Sequence, residues 1–559
     1  MMVAVTLVLI MMMMFAEVFE IASGMHHRVR GLAKNDQRAR ILQTMITADL
    51  EKRTFRHLVP FVPNETGYGR DRQSDQRQGY LYISENNPTN DSDDVLQFTV
   101  RSTILHSNRD ATPYYGLVTS YPIGTGTQNL NRQETPNSST AAEVCYFLRN
   151  GILYRRVLLL YQSVGRRAQP FDDSNSIESF NVNHPSGAYT GRFWRDFDFS
   201  AHLGKNGTGV KLHTDNSLVN TTGGSNFSLG RPGFRFGHDR ASHFPREFVP
   251  GPGPDGLWST PHDQDNGPFF IGRFTHEETS HGHFGFPHTP SVDAGGNAIN
   301  DGNPMKKVGV QNNPLAVGED GVVNQYRGGS RRAEDILMTN VHSFDIKVWD
   351  TALGEFVDIG HSRGTGDFRY TRRLNTSYGP GSPTGKRVFD TWHPTMTTQP
   401  PYRTTFYTDY VAQGKRKGIW TRWEDANGNG ALDSGEDFNN NGILDRPTYA
   451  VGNVVFPESE AYGPLVFRCV GITGAGAANT RPPRWPQNAG STVVETEDRN
   501  NNGLLDSGED INGNNLLDSL KWQAIDNWIP LKAIQITIRL RDPNSELMRQ
   551  MTQVVSLTR

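Results

Sequence analysis

Two segments of the sequence carry oxygen-bearing side chains at the spacing of a twelve-residue calcium loop. Such a loop binds the ion through side chains at positions 1, 3, 5, 9 and 12 and the carbonyl of position 7, with glycine at position 6 for a sharp turn. Both 425–436 and 498–509 fill every position of this pattern. The predicted ligands are Asp425, Asn427, Asn429, the Ala431 carbonyl, Asp433 and Glu436, and in the second loop Asp498, Asn500, Asn502, the Leu504 carbonyl, Asp506 and Glu509. The sequence therefore predicts two Ca²⁺ sites.

A shorter copy of the same pattern follows each loop directly. Its oxygen-bearing residues are Asp437, Asn439, Asn441 and Asp445 after the first loop, and Asp510, Asn512, Asn514 and Asp518 after the second. At the twelfth position, where a glutamate should close the loop, the shorter copies have Thr448 and Lys521. We expect them either to share ligands with the preceding loop or only to shape a turn. An Asn/Gly-rich turn without metal is the alternative for both segments.

The charge of the two complete loops predicts weak calcium binding. Asparagine takes two of the side-chain positions in each, so only three of the ligands are carboxylates. Low ligand charge is typical of extracellular modules, whose dissociation constants are about 10⁻⁴ to 10⁻³ M. Sites of this class fill outside the cytosol. We therefore expect an exported domain in which calcium is a structural clip and not a catalytic metal.

Other functional classes find little support in the sequence. A net charge of −3 lacks the basic surplus with which nucleic-acid-binding proteins neutralise phosphates, which predicts no nucleic-acid partner. The segment 276–283, HEETSHGH, places two histidines five residues apart, whereas a zincin helix needs a spacing of four. These histidines are expected in a solvated loop, with a metal site as the alternative. No nucleophile or phosphate-loop motif is present, and the prediction is a non-enzymatic protein.

Cys145 and Cys469 each lie in an apolar, strand-like run. Two buried small side chains are the favoured interpretation. A disulfide between them stays open as the alternative if the compartment is oxidising.

The elements that must position the calcium loops begin with a long helix. Residues 1–16 contain no charge, which is typical of a membrane segment, although the run is short for a full span. Apolar residues then recur at helical spacing through Met25, Val29, Leu32, Ala39, Leu42 and Ile46. The pattern predicts one helix of about fifty residues, apolar in 1–24 and amphipathic in 25–58.

Strand patterns follow the helix. They lie at 93–100, 141–162, 335–350, 462–472 and 531–542, with a further strand at the C-terminus. Asn150-Gly151 predicts a tight hairpin within the second of these stretches. The expected fold class is α+β, a long N-terminal helix packed on an antiparallel β-sheet with large loop-rich insertions. The expected divisions after the helix are a first β part (59–162), a Gly/Asn/His-rich insertion that covers a surface (163–330), a second β part (331–424), the calcium-loop region with an intervening strand (425–520), and C-terminal strands (521–559).

This order of elements resembles the type IV pilin-like proteins, specifically the J-type minor pseudopilins of type II secretion. The run MMVAVTLVLIMM is similar to the apolar stretch that follows the family's Phe-Thr-Leu-x-Glu start. The strands LYRR (153–156), VHSFDIKVWD (341–350) and PLKAIQITIRLRD (530–542) follow in the family's order. The Phe-Thr-Leu-x-Glu start itself is missing, so the resemblance implies an N-terminally truncated chain. The calcium loops resemble those of EF-hand-like, dockerin and thrombospondin type 3 repeats.

The resemblance implies a non-enzymatic pseudopilin-like subunit of a type II secretion or type IV pilus-like assembly. Its partners would be other pilin-like subunits, through the N-terminal helix, and the inner membrane. The family places the C-terminal domain in the periplasm or at the cell exterior. The basic residues between 28 and 40 alone would place that side in the cytoplasm by the positive-inside rule, and here we follow the family.

The alternative is a membrane-tethered extracytoplasmic binding protein or hydrolase with its site in the 163–330 insertion. Such a site needs convergent titratable groups in one pocket. A spatial cluster of His238, His243, His276, His281 and His283 would favour this alternative.

Overall fold

The structure is a computed structural model of the chain. It describes residues 2–56, 78–102, 112–117, 138–161, 193–203, 210–218, 229–238, 247–248, 269–284, 291–292, 298–299, 317–363, 368, 388–391, 420–425, 429–437, 442–456, 465–477, 481–486, 490–526, 531–542 and 547–558. For residues 26–32, 34, 196, 203, 210, 211, 216, 217, 291, 292, 298, 299 and 526 the description is limited to the backbone.

The described residues form three α-helices and twenty strands. The helices are α1 (Met2–Glu51), α2 (Phe193–Asp196) and α3 (His276–Ser280), with 3₁₀ turns at Asp215–Leu218, Pro232–Phe234 and Asn324–Tyr326. The strands are β1 (Leu81–Ser84), β2 (Val95–Arg101), β3 (Tyr114–Tyr115), β4 (Ser138–Ser139), β5 (Ala141–Arg149), β6 (Ile152–Leu159), β7 (Ala201–Leu203), β8 (Val210–Leu212), β9 (Ser291–Val292), β10 (Ala298–Ile299), β11 (Ile336–Thr339), β12 (Val341–Asp350), β13 (Glu355–Val357), β14 (Val388–Asp390), β15 (Val454–Val455), β16 (Leu465–Thr473), β17 (Thr492–Thr496), β18 (Ser519–Asp526), β19 (Ala533–Arg541) and β20 (Met548–Ser556). A long N-terminal helix followed by antiparallel strands is the predicted α+β class.

Helix α1 has two different halves. The stretch Met2–Met25 is apolar and long enough to cross a membrane. Its most apolar part is not buried against the rest of the described protein. Further along, Ala39, Leu42, Ile46 and Leu50 are buried. Their spacing of three or four residues gives one apolar stripe, as expected for a helix with one covered face.

Helix α1 ends at Glu51, before the predicted limit at residue 58. The backbone of Arg53 forms a bridge with Val100 of β2. The Arg53 guanidinium donates to the carbonyls of Leu50 (2.9 Å) and Leu557 (2.7 Å). Because the chain pairs with a strand at this point, the helix cannot continue, and the arginine satisfies one of its last carbonyls.

The largest sheet has six antiparallel strands in the order β11-β6-β5-β2-β1-β14. Its central hairpin joins β5 to β6 through Asn150 and Gly151, as predicted. Both residues have positive φ, 47° and 75°, which a two-residue type I′ turn requires.

The predicted strand 335–350 is two strands in different sheets. Strand β11 pairs with β6 in the six-stranded sheet. Strand β12 pairs with β19 in a four-stranded sheet of order β13-β12-β19-β20. Asn340 separates them with φ of 60°, a left-handed conformation that asparagine tolerates better than most residues. The periodicity of the sequence continues across this residue, so the break was not predicted.

A third sheet, of order β15-β16-β18-β17, lies at the calcium-loop region. It has a hydrophobic core of its own that includes Trp420, Phe467 and Trp522. Cys469 belongs to this core, whereas Cys145 lies in β5, and both are buried free thiols. The favoured interpretation of the two cysteines is therefore confirmed.

The described part of the 163–330 insertion contains little helix or strand, as expected. It does not only cover a surface, because it also contributes side chains to the hydrophobic core. Trp194, Phe236, Phe274 and Tyr326 are buried in the main hydrophobic core together with residues of the sheets. The insertion also supplies one partner to buried ion pairs with the six-stranded sheet. These pairs are Arg149 with Glu278 and Arg235 with Asp390.

Candidate calcium centre

The segment 498–518, which we call the second tandem, is the connection of a β-hairpin. Thr496, at the end of β17, is paired with Ser519, at the start of β18. One residue further in, the Glu497 N–H donates to the Asp518 carbonyl at 3.1 Å. The two ends of the tandem are thus held together by the third sheet.

The segment 425–445, which we call the first tandem, also has its ends in contact. The Glu424 N–H donates to the Asp445 carbonyl at 2.9 Å. Trp420, a few residues before the tandem, is fully buried in the core of the third sheet. Three predicted ligands of this tandem, Asn427, Asn439 and Asn441, lie outside the described residues.

The first loop of the second tandem turns around the carboxylate of Asp498. Its Oδ2 accepts the N–H of Gly503 at 2.8 Å, and its Oδ1 accepts the N–H of Asn502 at 3.1 Å. Gly503 has φ of 78°, which glycine adopts without strain. This position-1 to position-6 hydrogen bond folds the loop so that the side chains at the odd positions face inward.

Three predicted ligands of this loop converge on one point. The amides of Asn500 and Asn502 both donate to Asp506 Oδ2, each at 2.7 Å. These hydrogen bonds lower the pKa of Asp506, which keeps the carboxylate ionised. Side chains that meet within hydrogen-bond distance of one oxygen are close enough together to bind one ion through their oxygens.

The first loop of the first tandem has the same geometry where it is described. Asp425 Oδ2 accepts the N–H of Gly430 at 3.2 Å, and the Asn429 amide donates to Asp433 Oδ2 at 2.6 Å. The Ala431 N–H donates to Asn429 Oδ1 at 2.7 Å. The Leu504 N–H makes the equivalent bond to Asn502 in the second tandem, also at 2.7 Å. The backbone therefore follows the same turn past position 7 in both.

The Asp425 carboxylate has an oxygen that fits a metal ligand. Asp425 is only 2% exposed, and its Oδ1 has no hydrogen-bond partner. A buried carboxylate oxygen without a partner is costly unless a cation satisfies it. The other oxygen, Oδ2, is contacted by the guanidinium of Arg446, which is itself partly exposed. The donor set, with carboxylate, amide and carbonyl oxygens, suits Ca²⁺ and not a soft metal.

The shorter copy of the second tandem repeats the convergence twelve residues later. Asp510 accepts the N–H groups of Asn514 (3.0 Å) and Asn515 (2.9 Å) through its two oxygens. The amides of Asn512 and Asn514 both donate to Asp518 Oδ2, the latter at 3.0 Å. The shorter copy is therefore folded as a second loop and is more than a turn.

The glycine that the shorter copy lacks is replaced without loss of the turn. Asn515 has φ of 56° at the place where the complete loop has Gly503. Asparagine is the residue other than glycine that adopts this conformation most readily. In the first tandem the shorter copy keeps its glycine, and the Gly442 N–H donates to Asp437 Oδ2 at 2.8 Å.

A glutamate closes all four loops by one recurring pair of hydrogen bonds. The glutamate N–H donates to the carbonyl of the position-9 aspartate, and the N–H of that aspartate donates to Oε2 of the glutamate. The pairs are Glu436 with Asp433, Glu424 with Asp445, Glu509 with Asp506, and Glu497 with Asp518, at 2.9 to 3.1 Å.

The shorter copies thus obtain their closing glutamate from the residue that precedes the tandem. Glu497 Oε1 accepts the Ile511 N–H at 3.1 Å, just as Glu509 Oε1 accepts the Arg499 N–H at 2.9 Å. Each of these carboxylate oxygens keeps a lone pair for a cation. Glu424 and Glu497 are 1% and 2% exposed, which shields them from water.

The sequence contains a signal for these two glutamates that the twelve-residue pattern misses. A Glu-Asp dipeptide precedes every one of the four loops, at 424, 436, 497 and 509. The twelve-residue pattern assigns Glu436 and Glu509 to calcium, because it looks for the closing glutamate at the end of a loop. It does not assign Glu424 or Glu497. The structure places the closing glutamate of the shorter loop before the tandem.

The prediction of solvated histidines in 276–283 is wrong for His276, whereas His281 is half-buried and His283 is exposed in the turn after α3. His276 begins α3, which has a capping box between Thr275 and Glu278, and its side chain is buried 3.6 Å from Asp198. The rings of His281 and His283 are 4.9 Å apart. His243 lies outside the described residues. Among the residues that are described, no histidine belongs to a group of three potential metal ligands.

Comparison with known protein families, characterised proteins and solved structures finds no significant match to this chain. The assignment of a function therefore rests on the helix, the sheets and the two tandems themselves.

Proposed function

We propose that the protein is a non-enzymatic, pilin-like subunit of a type II secretion or type IV pilus-like assembly, with a calcium-stabilised domain outside the cytoplasm. Helix α1 would be held in the inner membrane or in a filament by its apolar half. Its other half would pack on the antiparallel sheets, as the resemblance to J-type pseudopilins implies.

One observation carries the proposal, namely the division of a single continuous helix. Met2–Met25 exposes large apolar side chains all around, with Phe15 at 75% and Phe19 at 77% exposure. Exposed apolar surface of this extent needs lipid or another apolar helix to cover it. From Ala39 onward the same helix has a buried stripe, so the apolar first half is the part that we expect to contact a membrane or a neighbouring subunit.

Contacts near the end of α1 support its packing on the sheets. The Asp49 carboxylate accepts two hydrogen bonds from Arg155 of β6, at 2.8 and 3.0 Å, and another from the Tyr146 hydroxyl of β5. Thr47 is hydrogen-bonded to Gln553 of β20. These polar contacts, together with the buried stripe, support the proposed packing of the helix on the sheets.

Calcium would act in this protein as a structural clip at four loops. Each of the two complete loops would bind one ion through its predicted ligands. In each tandem the shorter loop would bind a second ion, closed by Glu424 in the first tandem and by Glu497 in the second. Binding that favours the folded state stabilises it by mass action. The proposed location outside the cytoplasm supplies the millimolar calcium that weak sites need.

Photo-crosslinking tests the proposed role. A photoreactive phenylalanine analogue replaces Phe15 in cells that contain the complete secretion or pilus system, and the matched control carries it at Met548 in the exposed part of β20. We expect adducts from position 15 with the apolar helices of other pilin-like subunits, and none of these from position 548. Adducts of position 15 with lipid alone would contradict the assembly role and leave only a membrane anchor.

The alternative of a tethered binding protein or hydrolase is not favoured by the histidines. His276 is buried beside Asp198, whereas His281 and His283 contact each other nearer the surface. We therefore place the pilin-like role first.

A further inference from the structure

We propose that Glu85, Asp94 and Asp345 bind a divalent cation that joins the six-stranded sheet to the four-stranded sheet. This site is separate from the two tandems, and it does not depend on the proposed pilin-like role.

The three carboxylates come from distant parts of the sequence. Glu85 directly follows β1, Asp94 directly precedes β2, and Asp345 lies within β12. Each offers an oxygen, and the three oxygens lie within 4.8 Å of one another. Ligands of one Ca²⁺, each at about 2.4 Å from the ion, are separated by no more than about 4.8 Å. The geometry therefore suits a single ion among them.

Two of these carboxylates have an oxygen that nothing in the protein satisfies. Glu85 Oε2 and Asp94 Oδ1 are buried without a hydrogen-bond partner, and the residues are only 3% and 1% exposed. Asp94 Oδ2, in contrast, accepts the Ile346 N–H at 2.6 Å. That bond fixes the Asp94 carboxylate against β12, with its second oxygen left for another partner.

A neutral oxygen on the same strand face as Asp345 is also unsatisfied. Ser343 Oγ, two residues before Asp345 in β12, is buried and has no hydrogen-bond partner. Calcium takes six to eight oxygen ligands, and a mixture of carboxylates, amides and waters is usual.

The protein balances only part of the charge near the triad. The Lys347 ammonium forms ion pairs with Asp358 and, at 3.7 Å, with Asp345, so it is shared between the triad and another carboxylate. Burial, and then the neighbouring carboxylates, raise the pKa values of both Glu85 and Asp94. The fixed convergence of the buried carboxylate oxygens, two of which no hydrogen bond in the protein satisfies, is the observation that favours a cation here.

The site would fasten two sheets together. Besides the Asp94 to Ile346 bond, the Phe344 N–H of β12 donates to the Asp91 carbonyl at 2.8 Å. The connection between β1 and β2 thus already lies against the edge of β12. An ion bound by both sides would lock this contact, which no single stretch of sequence encodes.

Equilibrium dialysis of the detergent-solubilised full chain against ⁴⁵Ca²⁺ tests the proposal. We compare the wild type with the double variant Asp94→Asn/Asp345→Asn and with the single variant Glu85→Gln. The matched control is Asp91→Asn, which changes a half-buried carboxylate of the same connection that pairs with Arg539 and lies outside the triad. We expect each triad variant to bind one ion fewer per chain, with the control unchanged. An unchanged ion count in the triad variants overturns the proposal.

A second measurement separates the triad from the tandems and does not need a triad variant to fold. The variant Asp425→Asn/Asp498→Asn weakens the tandems and leaves the triad intact. Infrared difference spectra of this protein with and without calcium report the carbonyl stretch of protonated carboxylic acids. We expect that band to decrease when calcium is added, because the ion replaces the protons. A band that is identical with and without saturating calcium contradicts a metal site at the triad, whatever the tandems do.

Discussion

The first and second tandems contain the same loop pattern, yet the surroundings of the two differ. The second tandem is the connection between two paired strands, β17 and β18. The first tandem is followed directly by Arg446, whose guanidinium contacts the Asp425 carboxylate at position 1 of its loop. The equivalent position after the second tandem is Ser519, in a strand. Equal ligand sets therefore do not imply equal affinity, because the first tandem has a built-in cation that competes for one ligand.

Removal of calcium is expected to have the largest effect. At a free concentration ten times the dissociation constant, each site contributes about 1.4 kcal/mol to the free energy of unfolding. Four sites together would account for several kcal/mol. A chelator should therefore lower the thermal midpoint markedly, and hydrogen exchange should rise more in the first tandem than in the second. Equal and unchanged exchange in both would contradict a calcium role for either.

The substitution Glu497→Gln should have the next largest effect. Loss of the closing carboxylate removes a charged acceptor from two backbone N–H groups, a change of about 1 to 3 kcal/mol. Calcium titrations should then show one ion fewer in the second tandem. Glu424→Gln is the matched change in the first tandem, where we expect the same loss of one ion. If both variants keep the wild-type ion count, the preceding glutamates are only backbone caps.

The substitution Arg446→Gln should have a smaller effect of opposite sign. Without the guanidinium, calcium no longer has to displace an ion pair from Asp425. The affinity of the first tandem for calcium should therefore rise roughly two- to five-fold, which corresponds to the free energy of a partly exposed ion pair. The control Arg484→Gln makes the same charge change at an exposed position and should leave the affinity nearly constant. Isothermal titration calorimetry measures both. A fall in affinity for Arg446→Gln would mean that the arginine organises the loop.

The smallest effect concerns the pKa of Asp506. The amides of Asn500 and Asn502 lower the pKa of Asp506. In the absence of metal, these hydrogen bonds stabilise the folded state fully above the ordinary aspartate pKa. That stabilisation is lost as the pH falls through the lowered pKa. The substitution Asn500→Ala should raise the pKa of Asp506 toward its ordinary value. NMR titration of the calcium-free protein measures this directly. An unchanged pKa would show that Asn500 does not face Asp506 in solution.

The sequence predicted the elements that are local. The apolar and amphipathic halves of α1, the Asn150-Gly151 hairpin and the strand of alternating isoleucines at 534, 536 and 538 each depend on neighbouring residues, and the described structure contains them. The loops were recognised because their oxygens follow one another at fixed spacing.

The remaining features depend on contacts between distant residues. Asn340 ends one strand and starts another because β11 and β12 have different partners, which periodicity does not reveal. The burial of His276 follows from packing beside Asp198, far away in the sequence. Glu85, Asp94 and Asp345 meet only when two sheets come together. Sequence spacing has no information about any of these three.

The most direct test of the two-ion tandem is the anomalous diffraction of crystals grown in calcium. We predict two ions in the second tandem, one among Asp498, Asn500, Asn502 and Asp506, and another among Asp510, Asn512, Asn514 and Asp518 with Glu497 beside it. A single ion in the complete loop, with Glu497 bound only to backbone N–H groups, would contradict it.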